Sequence, residues 1–435
     1  MKPFDECEPN SSVFVKKSGE IKLKGWVYRK REISGNVFIV LRDSTDVVQT
    51  VISKDNVSDD EWNDVLNADV EASVFLEGSI RKEDRAPGGF EVSVEKFKLI
   101  GESHAFPITK DFSEAFLSDM RHLWIRSRKI TSVLKIRSMV FQAIREYFIS
   151  EGFFESHSPI IISTQTEGGS TLFDVNYFNH KLHLTQTWQL HAEAIIFALE
   201  KIFTISPTFR AEKSKTNRHL AEFWMAEMEV AWADFDDIIK YGEGLVKHIL
   251  KRVLENNQKE LKILKRDVSK LMPTLEKPFI RMTYDEALKV LKEKCDFDVK
   301  WGKDLRTIEE EKLTKLYDVP VIVTEYPKVI KAFYMKEAPD NKDVVLGCDF
   351  LAPEGIGEII GGSQREEDPV RIRERLIEMG ENPDEYGFYM DTRTYGSVPH
   401  SGFGLGVERV IRWICGLDSI RDAIAFPRTM QRYYP

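Results

Sequence analysis

The segment that decides the fold runs from Phe209 to Val230 and reads FRAEKSKTNRHLAEFWMAEMEV. Apolar and polar residues alternate on both sides of a polar stretch, 213–219. This alternation predicts two strands, 203–212 and 221–232, with the polar stretch as the loop that joins them. The segment therefore predicts a hairpin that carries charged side chains on both strands.

The charged side chains of this hairpin have a regular spacing. Arg210 and Glu212 are expected on one strand face, because side chains alternate along a strand. On the second strand Phe223 and Glu227 share a face and lie about 13 Å apart, at ~3.3 Å per residue. That distance suits a nucleoside stacked at one end and a small acid bound at the other. A charged hairpin on a solvated sheet edge would show the same pattern, so the hairpin alone leaves both interpretations open.

The chain around the hairpin mixes helices and strands without a regular βαβ alternation. An apolar stripe predicts a long helix that Thr131 caps and Gly152 stops, followed by extended chain up to Pro159. This order predicts the α+β class, with an antiparallel sheet and helices packed on it. The further elements expected are helices at 191–201, 236–264, 283–295 and 406–415, and a strand at 355–362.

The N-terminal part has a different pattern. Five short alternating segments between 19 and 101 predict an OB-type β-barrel, a common platform for single-stranded nucleic acid, although a generic small barrel would look the same. We therefore expect a barrel domain at 1–101, a hinge linker at 102–130 and a second domain at 131–435. A helical insertion is expected at about 236–300 within the last of these.

Composition limits the class of protein. The chain has 435 residues, of which 42% are hydrophobic and 31% charged, as in an ordinary globular protein of two to three domains. The net charge of −9 means that any nucleic-acid binding must use local basic patches. No apolar segment approaches the roughly 18 residues of a membrane helix, and because the N-terminus is acidic and lacks an apolar run we expect no secretory signal. The four cysteines lie far apart, so neither a zinc site nor a disulfide framework is indicated, and a cytoplasmic enzyme is the simplest expectation.

Common catalytic motifs are missing from the sequence. It contains no GxxxxGK[ST] loop, no HExxH and no GxSxG. The glycine-rich run GFGLG at 402–406 is weak evidence by itself. A phosphate site in this chain would therefore have to be built from arginines and a metal ion.

Several motifs, taken in order, resemble the class II aminoacyl-tRNA synthetases. They are the Arg210-x-Glu212 pair with RHLAEF after it, the segment 355–365 and the run GFGLGVER at 402–409. The helix that precedes Pro159 resembles the first, dimer-forming motif of that class, and the barrel resembles the anticodon-binding domain of its aspartate, asparagine and lysine subgroup. The strings RHLAEFWMAEMEVAWAD, YPKVIKAFYM and YGSVPHSGFGLG are most similar to asparaginyl-tRNA synthetases of the archaeal type.

This resemblance implies an ATP site and its catalytic residues. Arg210 would contact the α-phosphate and the amino-acid carboxylate, Arg409 the γ-phosphate, and Glu358 a Mg²⁺ ion, with Glu229 assisting the metal. A planar guanidinium suits two oxygens at once, and a hard cation requires oxygen ligands. Arg210, Arg409 and Glu358 are the expected catalytic residues. The expected ATP-binding residues are Arg210, Glu212, Arg218, His219, Leu220, Phe223, Glu358, Gly406 and Arg409.

The resemblance also implies an asparagine pocket. Its expected residues are Glu167, Gln189, Arg210, Glu227 and Arg365. The aspartate enzymes carry an aspartate at the position of Glu227, a lysine at that of Ala192 and a serine at that of Gly361. We expect Glu227 to accept a hydrogen bond from the substrate amide while Arg365 donates one to its carbonyl. An aspartate facing Glu227 at ~4 Å would be disfavoured by about 1 to 4 kcal/mol, which is roughly tenfold to a thousandfold.

The expected partners follow from the same resemblance. They are tRNA(Asn), ATP, L-asparagine and a second copy of the chain, without a membrane. Arg29, Phe38 and Gln49 are expected to contact the anticodon, although Phe38 could instead be an aromatic residue of the barrel core. Three alternatives stay open: an aspartyl-tRNA synthetase, possibly non-discriminating; an enzyme similar to asparagine synthetase; and a tRNA-binding relative that has lost catalysis.

Overall fold

The structure, a computed structural model, describes residues 6–109, 112–164, 171–213 and 216–435. The chain divides into two units, Met1–Glu114 and Ala115–Pro435. This boundary lies inside the segment expected as a linker, and Arg121 of that segment is buried in the second unit, where its guanidinium donates to the carbonyls of Ala425 and Ile424. The division at 101 and 130 stays a prediction.

The first unit contains a closed five-stranded β-barrel. Its strands are β1 (Gly19–Ile33), β2 (Asn36–Arg42), β3 (Val47–Ser53), β4 (Ser73–Lys82) and β5 (Phe90–Gly101), and its helices are α1 (Ser12–Lys16) and α2 (Asp59–Asn67). The strands pair in the order β1-β2-β3-β5-β4. Alternation along β2 buries Val37, Ile39 and Leu41 in the barrel core and leaves Phe38 on the outer face. The predicted OB-type barrel is confirmed.

The second unit is built on an antiparallel sheet. Its strands are β6 (Phe154–Glu155), β7 (Ile161–Ile162), β8 (Asp174–Tyr177), β9 (His180–Leu184), β10 (Lys201–Phe209), β11 (Glu222–Ala231), β12 (Ile280–Thr283), β13 (Val321–Thr324), β14 (Gly347–Ala352), β15 (Gly357–Gln364) and β16 (His400–Gly406). Among the described residues, eight of these strands form one sheet in the order β12-β13-β14-β15-β16-β11-β10-β6, and β7, β9 and β8 form a small second sheet. The four central strands pair antiparallel, which confirms the α+β class.

The described chain after the barrel also contains helices. They are α3 (Glu114–Asp119), α4 (Arg121–Trp124), α5 (Arg128–Ser150), α6 (Gln189–Leu199), α7 (Phe235–Asn256), α8 (Gln258–Ile263), α9 (Met272–Glu276), α10 (Tyr284–Cys295), α11 (Thr307–Thr314), α12 (Pro369–Glu378), α13 (Gly387–Thr394) and α14 (Val407–Cys415). Apolar residues of α5, α7 and α14 pack with β10, β11, β15 and β16 in one core. Helix α7 is therefore part of the core, although it lies in the segment 236–300 that the sequence suggested as an insertion. No described helix is long and apolar enough to cross a membrane.

Two local predictions were wrong. Strand β10 ends at Phe209, so Arg210 and Glu212 lie beyond the strand and do not share a strand face. The amide of Arg210 still donates to Ala221, at 3.0 Å, but that of Ala211 donates to Thr171, which turns the chain away from β11. The second correction concerns α5, which Ser127 caps by accepting from Ile130, one turn before the expected cap.

Candidate active site

One cleft brings together the residues expected to bind ATP. The cleft has a volume of about 600 Å³ and lies where the β10–β11 hairpin, β15 and the start of α14 meet. All nine of these residues line it: Arg210, Glu212, Arg218, His219, Leu220, Phe223, Glu358, Gly406 and Arg409. They come from segments as far apart as 210 and 409, so the fold assembles a set of side chains that the sequence shows only as separate motifs.

Arg409 and Glu358 form an ion pair in this cleft. Nη1 of Arg409 donates to Oε2 of Glu358 at 2.8 Å and to its backbone carbonyl at 3.0 Å. Burial alone would raise the pKa of Glu358, but Arg409 outweighs that effect and the pKa is lowered. Glu358 is therefore ionised, as a metal ligand must be.

A second carboxylate lies beside Glu358. A Cβ atom placed on Gly361 would lie 3.1 Å from Oε1 of Glu358 and 3.5 Å from Oδ1 of Asp349, so both carboxylates border the space that this glycine leaves open. Asp349 is bonded to Lys331 at 2.8 Å. Asp349 was not expected from the sequence, because only the pairing of β14 with β15 places it opposite Gly361.

Arg210 lies against the ring of Phe223. Its guanidinium carbon is 5.5 Å from the centre of that ring. The Nε atom of Arg210 is buried and has no hydrogen-bond partner among the described residues. A nucleotide whose base stacks on Phe223 would therefore have its 5′-phosphate near the Arg210 guanidinium, which can still donate a hydrogen bond.

Arg218 and His219 lie at the other end of the cleft. Arg218 donates to the carbonyl of Gly355 and, at 3.3 Å, to Oε2 of Glu310 on α11. Nε2 of His219 lies 3.5 Å from Oε2 of Glu212, and burial lowers the pKa of His219. A second cavity of about 810 Å³ opens here and shares Arg218, His219, Glu358 and Arg409 with the first. Arginine side chains border it on several sides, as a polyphosphate requires; those of the described residues are Arg218, Arg306, Arg409 and Arg412.

Arg365 is bonded to Glu229 in the region expected to bind the amino-acid side chain. Its Nε donates to Glu229 Oε2 at 3.3 Å, its Nη2 donates to Oε1, and its Nη1 donates to Ser363 Oγ at 2.7 Å. We expected Glu229 to assist the metal, and its pairing with Arg365 corrects that expectation. The position of the Glu229 carboxylate requires a glycine at Gly402, because a Cβ atom there would overlap that carboxylate.

Glu227 lies in the same region and is held by the start of α6. It accepts hydrogen bonds from Thr187 Oγ1 and, at 2.8 Å, from the backbone amide of Trp188. Gln189 follows directly, and its Nε2 donates to Glu193 Oε1 at 2.8 Å. Gln189, Glu227 and Arg365 are therefore all buried in this region. Glu167, also expected in the pocket, lies outside the described residues.

The outer face of the barrel carries a connected polar row. The guanidinium carbon of Arg31 is 5.0 Å from the ring centre of Phe38, and Arg31 Nη2 donates to Gln49 Oε1 at 3.4 Å. Gln49 Nε2 donates to Glu91 at 2.7 Å, and Glu91 accepts from Arg81 at 2.9 Å. We call these five residues the barrel face. Phe38 and Gln49 belong to it, while Arg29 stacks on Tyr28. Glu91 was not expected from the sequence; the pairing of β3 with β5 brings it beside Gln49.

Comparisons with known proteins agree with this architecture. The family described as tRNA synthetases class II (D, K and N) matches residues 113–430, and an OB-fold nucleic acid binding domain matches residues 21–100. The chain therefore belongs to the class II tRNA synthetases of the D, K and N subgroup.

Individual relatives narrow the subgroup. Asparagine--tRNA ligase from Thermococcus kodakarensis is 47% identical over 96% of both chains, and that from Thermoplasma acidophilum is 44% identical over 99% of both. Asparaginyl-tRNA synthetase from Pyrococcus horikoshii complexed with asparaginyl-adenylate superposes with a TM-score of 0.95 at 44% identity, covering 99% of this chain and 100% of that one. The Entamoeba histolytica enzyme, also with asparaginyl-adenylate, has a TM-score of 0.88 at 32% identity over 96% and 97% of the two chains. Within its subgroup, the chain belongs to the asparaginyl-tRNA synthetases.

Proposed function

We propose that this chain attaches L-asparagine to tRNA(Asn) in an ATP-dependent reaction through an asparaginyl-adenylate. The observation that carries the proposal is the likeness, over nearly the whole chain, to two structures described as complexes with asparaginyl-adenylate. The cleft supports it independently, because it offers the aromatic ring of Phe223 for a base and the side chains of Arg218 and Arg409 for phosphates.

The first step is attack of the asparagine carboxylate on the α-phosphate of ATP. A carboxylate oxygen forms the new P–O bond while pyrophosphate leaves with the electrons of the bond that breaks. No protein base is needed, because the attacking carboxylate is already ionised at neutral pH. Arg210 would donate to both reacting groups and hold them in line, and Arg218, His219 and Arg409 would hold the departing phosphates.

A Mg²⁺ ion fits the residues on the triphosphate side. No group of three or more acidic, histidine or cysteine ligands occurs within the described ranges, but Mg²⁺ is commonly held by one or two carboxylates together with substrate phosphates. Glu358 and Asp349 would be those carboxylates, since both border the space at Gly361. When bound, the ion would neutralise phosphate charge during transfer.

Asparagine selection would depend on the pocket around Arg365. Glu229 and Ser363 hold that guanidinium in place, and its remaining N–H groups would donate to the substrate carbonyl. Glu227 would accept from the substrate amide. Ala192 removes the cation that the aspartate enzymes carry, so a substrate carboxylate would meet no additional positive charge.

The barrel face is the proposed contact for the anticodon. Phe38 offers a half-buried ring on the outer face, covered on one side by Arg31, and a base can stack on such a ring at a gain of about 1–3 kcal/mol. Gln49 and Glu91, which are buried and bonded to each other, lie beside that platform and would supply its hydrogen-bonding groups. Arg29 would contribute positive charge to the same surface.

A homodimer is the proposed assembly, and a cytoplasmic location stays a prediction. Apolar side chains are exposed at the end of α5 and in the extended chain after it, namely Ile149, Phe154, Ile160 and Ile161. Single exposed apolar residues are ordinary, but a cluster next to the resembled dimer motif indicates a covered surface. Sedimentation equilibrium should give twice the chain mass of 50.3 kDa; a monomer at micromolar concentration would contradict the proposal.

Aminoacylation tests the proposed function. The chain should charge tRNA(Asn) transcript with labelled asparagine and leave tRNA(Asp) uncharged with either amino acid. Charging of tRNA(Asp) with aspartate would identify an aspartyl enzyme, and release of free asparagine from aspartate and ammonia would identify a synthetase of the free amino acid. Binding of tRNA without either product would indicate a relative that has lost catalysis.

A further inference from the structure

Glu193 is the centre of a buried hydrogen-bond network that the reaction described above does not use. Its side chain is fully buried on α6. It accepts from Gln189 Nε2 at 2.8 Å, Tyr389 Oη at 2.8 Å and His400 Nε2 at 3.0 Å, and also from Arg393 Nη2. Buried polar groups gain from being fully paired, and this carboxylate has partners on both oxygens.

Glu193 also lies beside the guanidinium of the amino-acid pocket. Its Oε1 is 3.9 Å from Arg365 Nε, and Glu229 on β11 forms an ion pair with the same guanidinium. Two buried carboxylates from different elements therefore flank one guanidinium. Arg365 is held in position by both and keeps N–H groups for a ligand.

Glu193 is the charged group of this network. Nδ1 of His400 lies 2.7 Å from the carbonyl oxygen of Val398, and its Nε2 lies 3.0 Å from Glu193 Oε2. Glu229 is not a second fixed charge, because burial raises its pKa to about 8. Burial alone would raise the pKa of Glu193, but Arg393 and His400 lower it, so the carboxylate is ionised.

We propose that Glu193 is a positioning residue that makes this pocket selective for asparagine over aspartate, an inference that rests on the proposed function. It fixes the Gln189 amide with its NH₂ group inward, so that the amide oxygen is the atom available to the substrate's α-ammonium group. Its charge also lies beside the Arg365 guanidinium, with Oε1 of Glu193 3.9 Å from Nε. The neutral carboxamide of asparagine can bind Arg365 beside this charge, whereas the carboxylate of aspartate would be repelled by it.

Glu193→Gln tests this role because it removes the charge and keeps the shape. The amide that replaces the carboxylate can no longer accept on both of its terminal atoms, and Arg365 loses one counter-charge. In ATP–pyrophosphate exchange we expect the KM for asparagine to rise and the ratio of kcat/KM for asparagine over aspartate to fall by about tenfold or more. The KM for ATP should not change, whereas a general loss of structure would change it as well.

The control is Glu260→Gln. Glu260 is also buried and bonded to a cation, Lys135 at 3.4 Å, but it belongs to α8 in the core. This variant should keep the parent KM values and ratio, whatever it costs in thermal stability. A folded Glu193→Gln protein with the parent KM for asparagine and the parent ratio would overturn the proposal.

A second variant covers the case in which Glu193→Gln does not fold. Tyr389→Phe removes one donor to Glu193 without a change of charge. It should move the KM for asparagine and the asparagine-to-aspartate ratio in the same directions by less, and parent values in folded Tyr389→Phe would then overturn the proposal.

The parent measurement separates the proposed function from the proposed role of Glu193. A parent that prefers aspartate contradicts the proposed function, whereas a parent that prefers asparagine with unchanged variants contradicts only the role of Glu193.

Discussion

Arg409 Nη1 lies 2.8 Å from Glu358 Oε2, so the proposed γ-phosphate ligand and the proposed metal ligand are bonded to each other. Each neutralises the other in the cleft. Mg-ATP offers both of them a new partner of the opposite charge, a phosphate for Arg409 and the metal for Glu358. The pair can therefore separate on substrate binding without leaving either charge unpaired, which would otherwise be costly.

Arg409→Ala should abolish pyrophosphate exchange, by at least about a thousandfold, because it removes a charged contact to the transferring group. Affinity for tRNA should stay largely intact, since the barrel face is untouched. Exchange assays and filter binding measure the two effects on the same preparation. Exchange at the parent rate would show that the assignment of Arg409 is wrong.

Phe38→Ala should weaken tRNA(Asn) binding by about 1–3 kcal/mol, the loss of one stacked base, with exchange in the absence of tRNA unchanged. Trp26→Ala is the matched control, because Trp26 is an exposed aromatic residue of the barrel and, like Phe38, lies under an arginine, with Arg42 at 5.4 Å from its ring centre. Equal losses of tRNA affinity in the two variants would contradict a specific role for Phe38.

Gly402→Ala should break the Arg365–Glu229 pair, since the added Cβ would overlap the Glu229 carboxyl group. We expect a loss of asparagine activation of about tenfold or more and a lower melting temperature, as for other overpacked sites. Gly387→Ala, where no atom lies within 4 Å of the new Cβ, is the control and should behave as the parent. Retention of full asparagine activation in Gly402→Ala would argue against the pocket.

Glu310 should make stability depend on pH. Burial, reinforced by Glu358, raises its pKa to about 7. Between about pH 4.3, the carboxyl pKa of the unfolded chain, and pH 7, the folded protein keeps a proton that the unfolded chain has lost. This contribution to stability is therefore present at acidic pH and is lost as the pH rises through 7. Relative to Glu310→Gln, the parent should lose roughly 2–3 kcal/mol between about pH 5 and pH 8.

Urea unfolding at the two pH values measures this difference. The control is Glu311→Gln on the same helix. The hydrogen bond from Lys315 lowers the pKa of Glu311, so its contribution is present above the unfolded pKa and lost only at more acidic pH. A parallel change of stability with pH in the Glu310→Gln and parent proteins would contradict the expectation.

The motifs revealed most of the ATP site but little of what supports it. Residues such as Phe223 and Glu358 belong to short patterns, and strand alternation alone placed Phe223 and Glu227 on one face. Asp349 and Glu193 have no such pattern, because their roles depend on strand pairing and on partners about 200 positions away, Arg393 and His400. Arg210 was misplaced on a strand because local alternation cannot report that Ala211 bonds to Thr171.

The most direct measurement is ATP–pyrophosphate exchange of the parent protein with asparagine and with aspartate, each over a full concentration range. The account predicts that kcat/KM for asparagine exceeds that for aspartate by roughly tenfold to a thousandfold or more, the range that repulsion by a single carboxylate at ~4 Å supplies. Equal or faster exchange with aspartate would contradict it.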